Sequence, residues 1–313
     1  FKERFFPLVS NNKKIINNYH QLAFNHPISH KRIDIDHNFT NNIKEITKYY
    51  GATSVGITKL SDYNYYSHMG GLTEHVGLDT LNKKIVPHYN TAIVFTVAMD
   101  KKMINRAPMF EELLATEQAY VKVAEIGSRL TMYLRELGYK TIFEHSEYYE
   151  TPLVPLAHDA GLGQIGMCNH IVTKEHGNNV RLGAVLTTLK LDYDQPIDYG
   201  LHEFCKKCAL CLSNCPSKAI THKPRIVNGR QFYKFDDNRC FDMWLKSGTD
   251  CGTCISACPF TQGMDLSKVN RMKDEPHLMD ELMSEHYEIF GRRVFDKEDL
   301  PIVKLEKKNE SNN

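Results

Sequence analysis

The spacing of apolar positions changes several times along this chain, and each change marks an element. From Asn41 to Tyr50 the pattern suits a helix that Gly51 stops. Thr53 to Leu60 reads as a strand. Thr91 to Met99 (TAIVFTVAM) is continuously apolar and β-branched, as in a strand buried on both faces. Further on, Tyr120, Val123, Ile126, Leu130, Leu134 and Leu137 recur three or four apart, which predicts a helix over Glu112 to Leu137 with one core-facing stripe. Gly138 follows where a left-handed cap is expected. Lys140 to Phe143 and Arg181 to Leu189 read as strands, and Leu153 to Ala160 as helical. Strand, helix and strand in succession predict a helix laid on a sheet. Residues 1–39 are polar, rich in Asn, His and Lys, and without a clean period. They read as an irregular arm or short helices packed on the body.

Composition narrows the class. Of 313 residues 42% are hydrophobic and 25% charged, which suits a globular chain and excludes wholesale disorder, collagen and coiled coil. Lys plus Arg number 39 and Asp plus Glu 38, so the net charge of +1 supplies no overall field for holding nucleic acid, and no DNA partner is expected. No apolar run reaches the roughly 20 residues of a membrane-spanning helix. Neither a secretory h-region nor a twin-arginine signal is visible. As written the chain reads as cytoplasmic; Phe1 in place of a methionine leaves room for a removed leader, which would make the protein exported and membrane-associated.

The cysteines change the picture most. Eight of nine lie between Cys205 and Cys258, which in a chain this large reads as metal ligation rather than a disulfide framework. Character shifts near Pro196. The expected organisation is an arm over 1–40, a larger domain over 41–197, a cysteine-rich domain over 198–262, and helical segments with a charged tail (Lys304 to Asn313) over 263–313. The first motif is Cys205-x2-Cys208-x2-Cys211-x3-Cys215-Pro216, and the second is Cys240-x10-Cys251-x2-Cys254-x3-Cys258-Pro259. Three thiolates two residues apart wrap one cubane, while the fourth, before proline, reaches the other cluster. This assigns Cys205, Cys208, Cys211 and Cys258 to one [4Fe–4S] cluster, and Cys215, Cys240, Cys251 and Cys254 to a second. Structural zinc, with four ligands in two pairs, fits eight cysteines and two Cys-Pro endings poorly.

Two clusters pass single electrons, so the larger domain should hold what they reduce. Gly161-Leu-Gly163-Gln-Ile-Gly166 matches G-x-G-x-x-G but follows a helical segment rather than a strand, which disfavours a nucleotide site. The glycines either let backbone approach a large flat ligand or form a tight loop. No Asp-x-His-x-x-Gly cobalamin signature occurs.

The stretch Cys240-Phe-Asp-Met-Trp244, Gly248-Thr-Asp-Cys251 and Cys258-Pro-Phe260 resembles the cluster domain of reductive dehalogenases. So do Ala92 to Asp100, Ala107-Pro108, Leu137 to Lys140, Pro155 to Gly163, Val180 to Leu182 and Pro196 to Cys205, over about Asn42 to Gln262. The resemblance implies an α+β fold: a nitroreductase-like α/β corrinoid-binding core followed by a small ferredoxin-like two-cluster domain. It also implies a base-off corrinoid (cobalamin), electrons passed through the clusters to cobalt, reduction of an organohalide or similar small molecule, and a tyrosine that supplies a proton. An external low-potential electron donor and a small membrane anchor protein are the partners it suggests. The related epoxyqueuosine reductases act on tRNA but carry a longer first gap in the second motif. A non-catalytic electron-transfer module is the third reading; it predicts no corrin-sized cavity.

Under the resemblance the acid lies ahead of the Pro-Leu-Ala run, where Glu147-Tyr148-Tyr149-Glu150 stands. Tyr148, Tyr149 and Glu147 all remain candidates, each tyrosine equally readable as packing. Arg181 is the cation expected to stabilise the phenolate, with an ion pair as its alternative role. Gly161, Gly163, Gly166, Cys168 and Asn169 form the expected corrinoid-facing loop. Met167-Cys168 departs from the basic residue and Asn usual there, Cys168 reads equally as a buried thiol, and His170 reads as structural. Purified without oxygen, the protein is expected to be brown, with visible absorption that acid treatment abolishes. A colourless protein carrying zinc would refute the cluster assignment.

Overall fold

The computed structural model describes residues 2–70, 77, 79–272 and 274–304. The chain opens with α1 (Lys2–Phe24), and α2 (Thr40–Tyr49) leads into β1 (Ser54–Lys59) and then β2 (Thr91–Ala98). The short α3 (Lys101–Ile104) precedes α4 (Phe110–Glu136) and β3 (Thr141–Glu144). Next come α5 (Leu153–Asp159), the small ribbon β4 (Gln164–Ile165) and β5 (Ile171–Val172), and β6 (Val180–Thr187). Four strands form one sheet in the order β1-β2-β6-β3, with every pair antiparallel. β2 and β3, joined through α4, run the same way with β6 inserted between them.

Alternation along β2 builds two cores. Ile93, Phe95 and Val97 face α4 and join Val123, Ile126, Leu130 and Leu134. Ala92 and Val94 face the other side and meet Leu156 and Ala157 of α5. A strand apolar at every position is what burial on both faces requires. The core-facing stripe of the long helix falls where its spacing predicts; its end members, Tyr120 and Leu137, are partly buried and pack against the core from its edge.

The N-terminal region differs from the expected arm. It forms a 23-residue helix, α1, packed on α4. Its buried residues Val9, Ile16, His20 and Ala23 share one face, at intervals of seven, four and three. Exposed Phe6, Leu8, Ile15 and Leu22 blur that period in the sequence, and a histidine occupies a core position. Arg135 of α4 fastens the helix end, its Nη1 donating to the carbonyls of Ala23, Phe24 and His26 at 2.9, 2.9 and 2.8 Å.

The cysteine-rich part consists of α6 (Leu201–Cys208), α7 (Leu210–Asn214), the hairpin β7 (Ile220–Val227) and β8 (Arg230–Phe235), α8 (Asp237–Ser247) and α9 (Thr253–Ser256). Arg230 on the hairpin pairs with Asp159 of α5, Nε to Oδ1 at 2.7 Å. α10 (Leu266–Arg271) and α11 (Leu278–Phe290) follow, with α10 against α6. Buried Arg106 then holds the C-terminal segment, bonding Glu111 Oε1 at 2.9 Å, the Asp296 carbonyl and the Asp299 carboxylate. The expected charged tail lies, beyond Lys304, outside the described residues.

One contact ties α1 to the sheet and makes stability pH-dependent. The Glu147 N–H donates to His145 Nδ1 at 3.3 Å, so His145 Nε2–H donates to His20 Nδ1 at 3.0 Å. Burial holds both rings neutral, lowering His20 to about 4 and His145, which also feels His20, to about 3. In the unfolded chain both protonate near 6.5. Stability is therefore full above that value and falls below it, by about 1.4 kcal/mol per pH unit for each ring that stays neutral. Denaturant unfolding between pH 7 and pH 5 measures the slope, and H20Q is expected to make it shallower.

Candidate functional site

Two cavities are lined with thiols. Ala209, at φ 46°, separates α6 from α7, so Cys205, Cys208 and Cys211 curl around one space. Cys258 completes that wall from the far motif. The second cavity, about 250 Å³, is lined by Cys215, Cys240, Cys251 and Cys254. Each space thus takes three cysteines from one motif and one from the other, in the two quartets the motif spacing assigns. Among the described residues no three His, Cys, Asp or Glu side chains converge as around a single ion. The thiols instead line walls, the arrangement a cubane needs. Burial pushes the Cys208 and Cys240 thiols up to about 11, so metal-free protein keeps these protons and cluster insertion must release them.

Beside the second cavity lies a third, of about 420 Å³, and the two share Tyr120, His170, Arg181, Trp244 and Asp250 as wall. α4 contributes Glu117 and Tyr120, and the loop after β3 contributes His145, Ser146, Glu147 and Tyr149. Glu144, at the end of β3, holds that loop. Its Oε1 accepts from the N–H groups of Glu150 and Thr151 at 2.7 and 2.9 Å, and its Oε2 from the Thr151 hydroxyl. Arg181 reaches in from β6. Its Nη2 donates to Thr116 Oγ1 at 2.8 Å, it lies 3.6 Å from Asp250 Oδ2, and its guanidinium sits 5.1 Å from the centre of the Tyr120 ring. Thr116 in turn donates to Glu112 Oε1 at 3.3 Å. Burial raises the Tyr120 phenol above its ordinary value, with Arg181 opposing. Burial likewise lifts Glu112 to about 8 and Glu117 to about 7, and raises Asp250.

The cavity separates the acid candidates. Glu147, Tyr149 and Arg181 line it, and Tyr148 does not. The Tyr148 phenol donates to Glu150 Oε1 at 2.7 Å, its ring lies 5.1 Å from that of His20, and it belongs to the core on the α5 side of the sheet. Tyr148 is therefore a packing residue, since strand-like alternation in the loop turns neighbouring side chains to opposite sides. The glycine loop also serves the chain itself. A Cβ on Gly161, which has φ +69°, would lie 2.6 Å from the Gln195 carbonyl oxygen, and one on Gly163 would lie 2.3 Å from that of Val172. The close approach these two permit is to backbone, which is the tight-loop alternative. Gly166 and Cys168 stand in the wall of the first cluster cavity, and Cys168 lines the second as well. Asn169 does not line these three cavities; it clamps β8 through two 2.9 Å bonds with the backbone of Tyr233.

Tyr120, Glu117 and Asp250 are the wall residues that the sequence reading missed. The available signal was a run of polar residues, Glu112, Thr116 and Tyr120, at four-residue intervals on a helix otherwise apolar on that side. Two buried polar atoms of this wall, Arg181 Nε and Ser146 Oγ, have no protein partner. A donor left bare in a buried wall points to a polar ligand.

Residues 204–262 match the 4Fe-4S dicluster domain family. The tetrachloroethene reductive dehalogenase of Sulfurospirillum multivorans is 32% identical over 254 residues, 72% of this chain and 50% of that protein. Over that span the chain is similar to the reductive dehalogenases. A solved catabolic reductive dehalogenase shares the fold, with a TM-score of 0.77 at 20% identity over 91% of this chain and 42% of that one. An epoxyqueuosine reductase of Lactococcus garvieae is 30% identical over 131 residues, 40% of this chain and 36% of that protein. The chain spans half or less of the length of these curated relatives.

Crossing of the motifs gives a test peculiar to this dehalogenase relative. C258S is expected to remove the cluster otherwise held by the first motif and to leave the second. Bound iron should fall to about half, with one of two reduced-cluster spin resonance signals lost.

Proposed function

We propose that this protein is a corrinoid-dependent reductive dehalogenase that passes electrons through two [4Fe–4S] clusters to reduce a small organohalide. One observation carries the reading: the cysteine-lined cavity and a larger cavity lie on either side of a shared wall that holds a tyrosine beside a guanidinium. The larger space suits a corrinoid, since its wall offers the bare donors of Arg181 and Ser146 to a ligand rich in amide carbonyls. When bound, the corrinoid supplies the low-valent metal that cleaves the carbon–halogen bond.

The chain's own residues do the rest. Tyr120 keeps its proton at neutral pH and gives it from Oη to the carbon that loses halide. Arg181, fixed by Thr116 and Asp250, stabilises the phenolate left behind. Leu153, Val154 and Trp244 provide the apolar part of the wall. This choice moves the acid from the loop after β3 to α4. Tyr149 and Glu147 share the cavity, but the guanidinium lies over Tyr120. The balance is one organohalide, two electrons and one proton giving halide and the product with hydrogen in place of that halogen.

A wall with unpartnered donors argues against a mere electron-transfer module, which needs no such space. The near-neutral charge lends a tRNA substrate no support. The dehalogenase reading brings with it an external low-potential electron donor. It also brings an exported location with a small membrane anchor protein; no helix among the described residues is long and apolar enough to cross a membrane.

With clusters and cobalamin loaded, Y120F is expected to lower dehalogenation about 10²- to 10⁴-fold, while corrinoid and iron contents stay at wild-type levels. Unchanged turnover in Y120F returns the role to Tyr149 or Glu147. Failure of the wild type to retain corrinoid overturns the reading.

A further inference from the structure

Glu117 is left without a role by this mechanism. It stands one turn before Tyr120 on α4, and both line the large cavity. Residues three apart face the same side of a helix, with Cβ atoms about 5–6 Å apart. The side chain is 8% exposed. Exposed Lys13 of α1 lines the same cavity, so this wall runs from solvent past Glu117 to the phenol. The other nearby acids are engaged: Asp250 pairs with Arg181, and Glu112 takes the Thr116 hydroxyl in the cluster cavity.

A phenol that gives its proton to carbon must be reloaded before the next turnover. We propose that Glu117 reloads Tyr120, its carboxylic acid passing a proton to the phenolate Oη and regaining one from solvent at the Lys13 mouth. The inference rests on the dehalogenation reading above. Each turnover moves one proton from solvent to Glu117, from Glu117 to Tyr120 and from Tyr120 to the product carbon, and no electron passes through either side chain. The groups facing Glu117 are Lys13 from α1, Glu147 from the loop after β3, Arg181 from β6, Asp250 from the loop before α9, and Tyr120 on its own helix. Burial and the two neighbouring carboxylates push the Glu117 carboxyl up, the two cations pull it down, and it settles at about 7. A relay that gives and regains a proton works best near the operating pH.

Protein carrying its clusters and corrinoid, with tetrachloroethene as the probe halide, tests this. E117A is expected to release chloride about tenfold more slowly or worse, and to lose the inflection of the pH–rate profile near neutrality. Added formate should restore the rate in proportion to its acid form, with no such rescue for Y120F. A second readout needs no turnover: Glu112 and Glu144 also carry raised carboxyls, so the infrared difference between wild type and E117Q is read, and it should hold a protonated-carboxyl band at about pH 6 that fades by about pH 8. If E117A loses its cluster absorption, the isosteric E117Q carries the rate measurement. Wild-type rate and profile in both variants, or a wild-type minus E117Q difference without that band, overturns the relay. Corrinoid-loaded wild type that releases no chloride overturns the dehalogenation reading instead, and the infrared band then decides whether Glu117 holds the proton.

Discussion

One partly buried guanidinium joins the three parts of this protein. Arg181 belongs to the sheet, binds Thr116 and faces Tyr120 on the long helix, and pairs with Asp250 beside the second cysteine motif. The side chains of Arg181 and Asp250 are 16% and 25% exposed, so the pair is partly buried and solvent moderates its contribution. The position of β6 between β2 and β3 is what brings it there. Sheet, helix and cluster loop are thus registered against one another by a group that also faces the site. Stability and chemistry draw on the same contact.

Much of the fold was legible because its signals are local. The unbroken apolar run of β2 and the three-and-four spacing of α4 reflect burial, and burial is what the sheet and helix supply at those residues. Cysteine spacing was legible for a different reason: thiolates two residues apart have little choice of geometry around a shared centre. The N-terminal helix was not legible, since its buried face includes a histidine and its exposed face several large apolar residues. Its reason for folding lies in Arg135 and His145, more than a hundred residues away.

The site was harder to read than the fold. Tyr120 continues the apolar stripe of α4, and nothing in the stripe tells that its ring also forms part of a cavity wall. Neighbouring Tyr148 and Tyr149 could not be told apart either, because the direction of each side chain depends on how Glu144 gathers the backbone of the loop. The glycines at 161 and 163 look like a ligand loop only while the carbonyls of Gln195 and Val172, distant in sequence, are out of view. In each case the deciding atom comes from another element.

The exchange of one cysteine between the two motifs has a consequence for biogenesis. The first cavity closes only with Cys258, made well after Cys211, while the second begins with Cys215 and ends with Cys254. A ribosome that has finished the first motif has not yet produced a complete nest for either iron cube. Assembly machinery must therefore wait for the later motif, and a chain stalled between Cys215 and Cys240 offers four thiols that belong to two different centres.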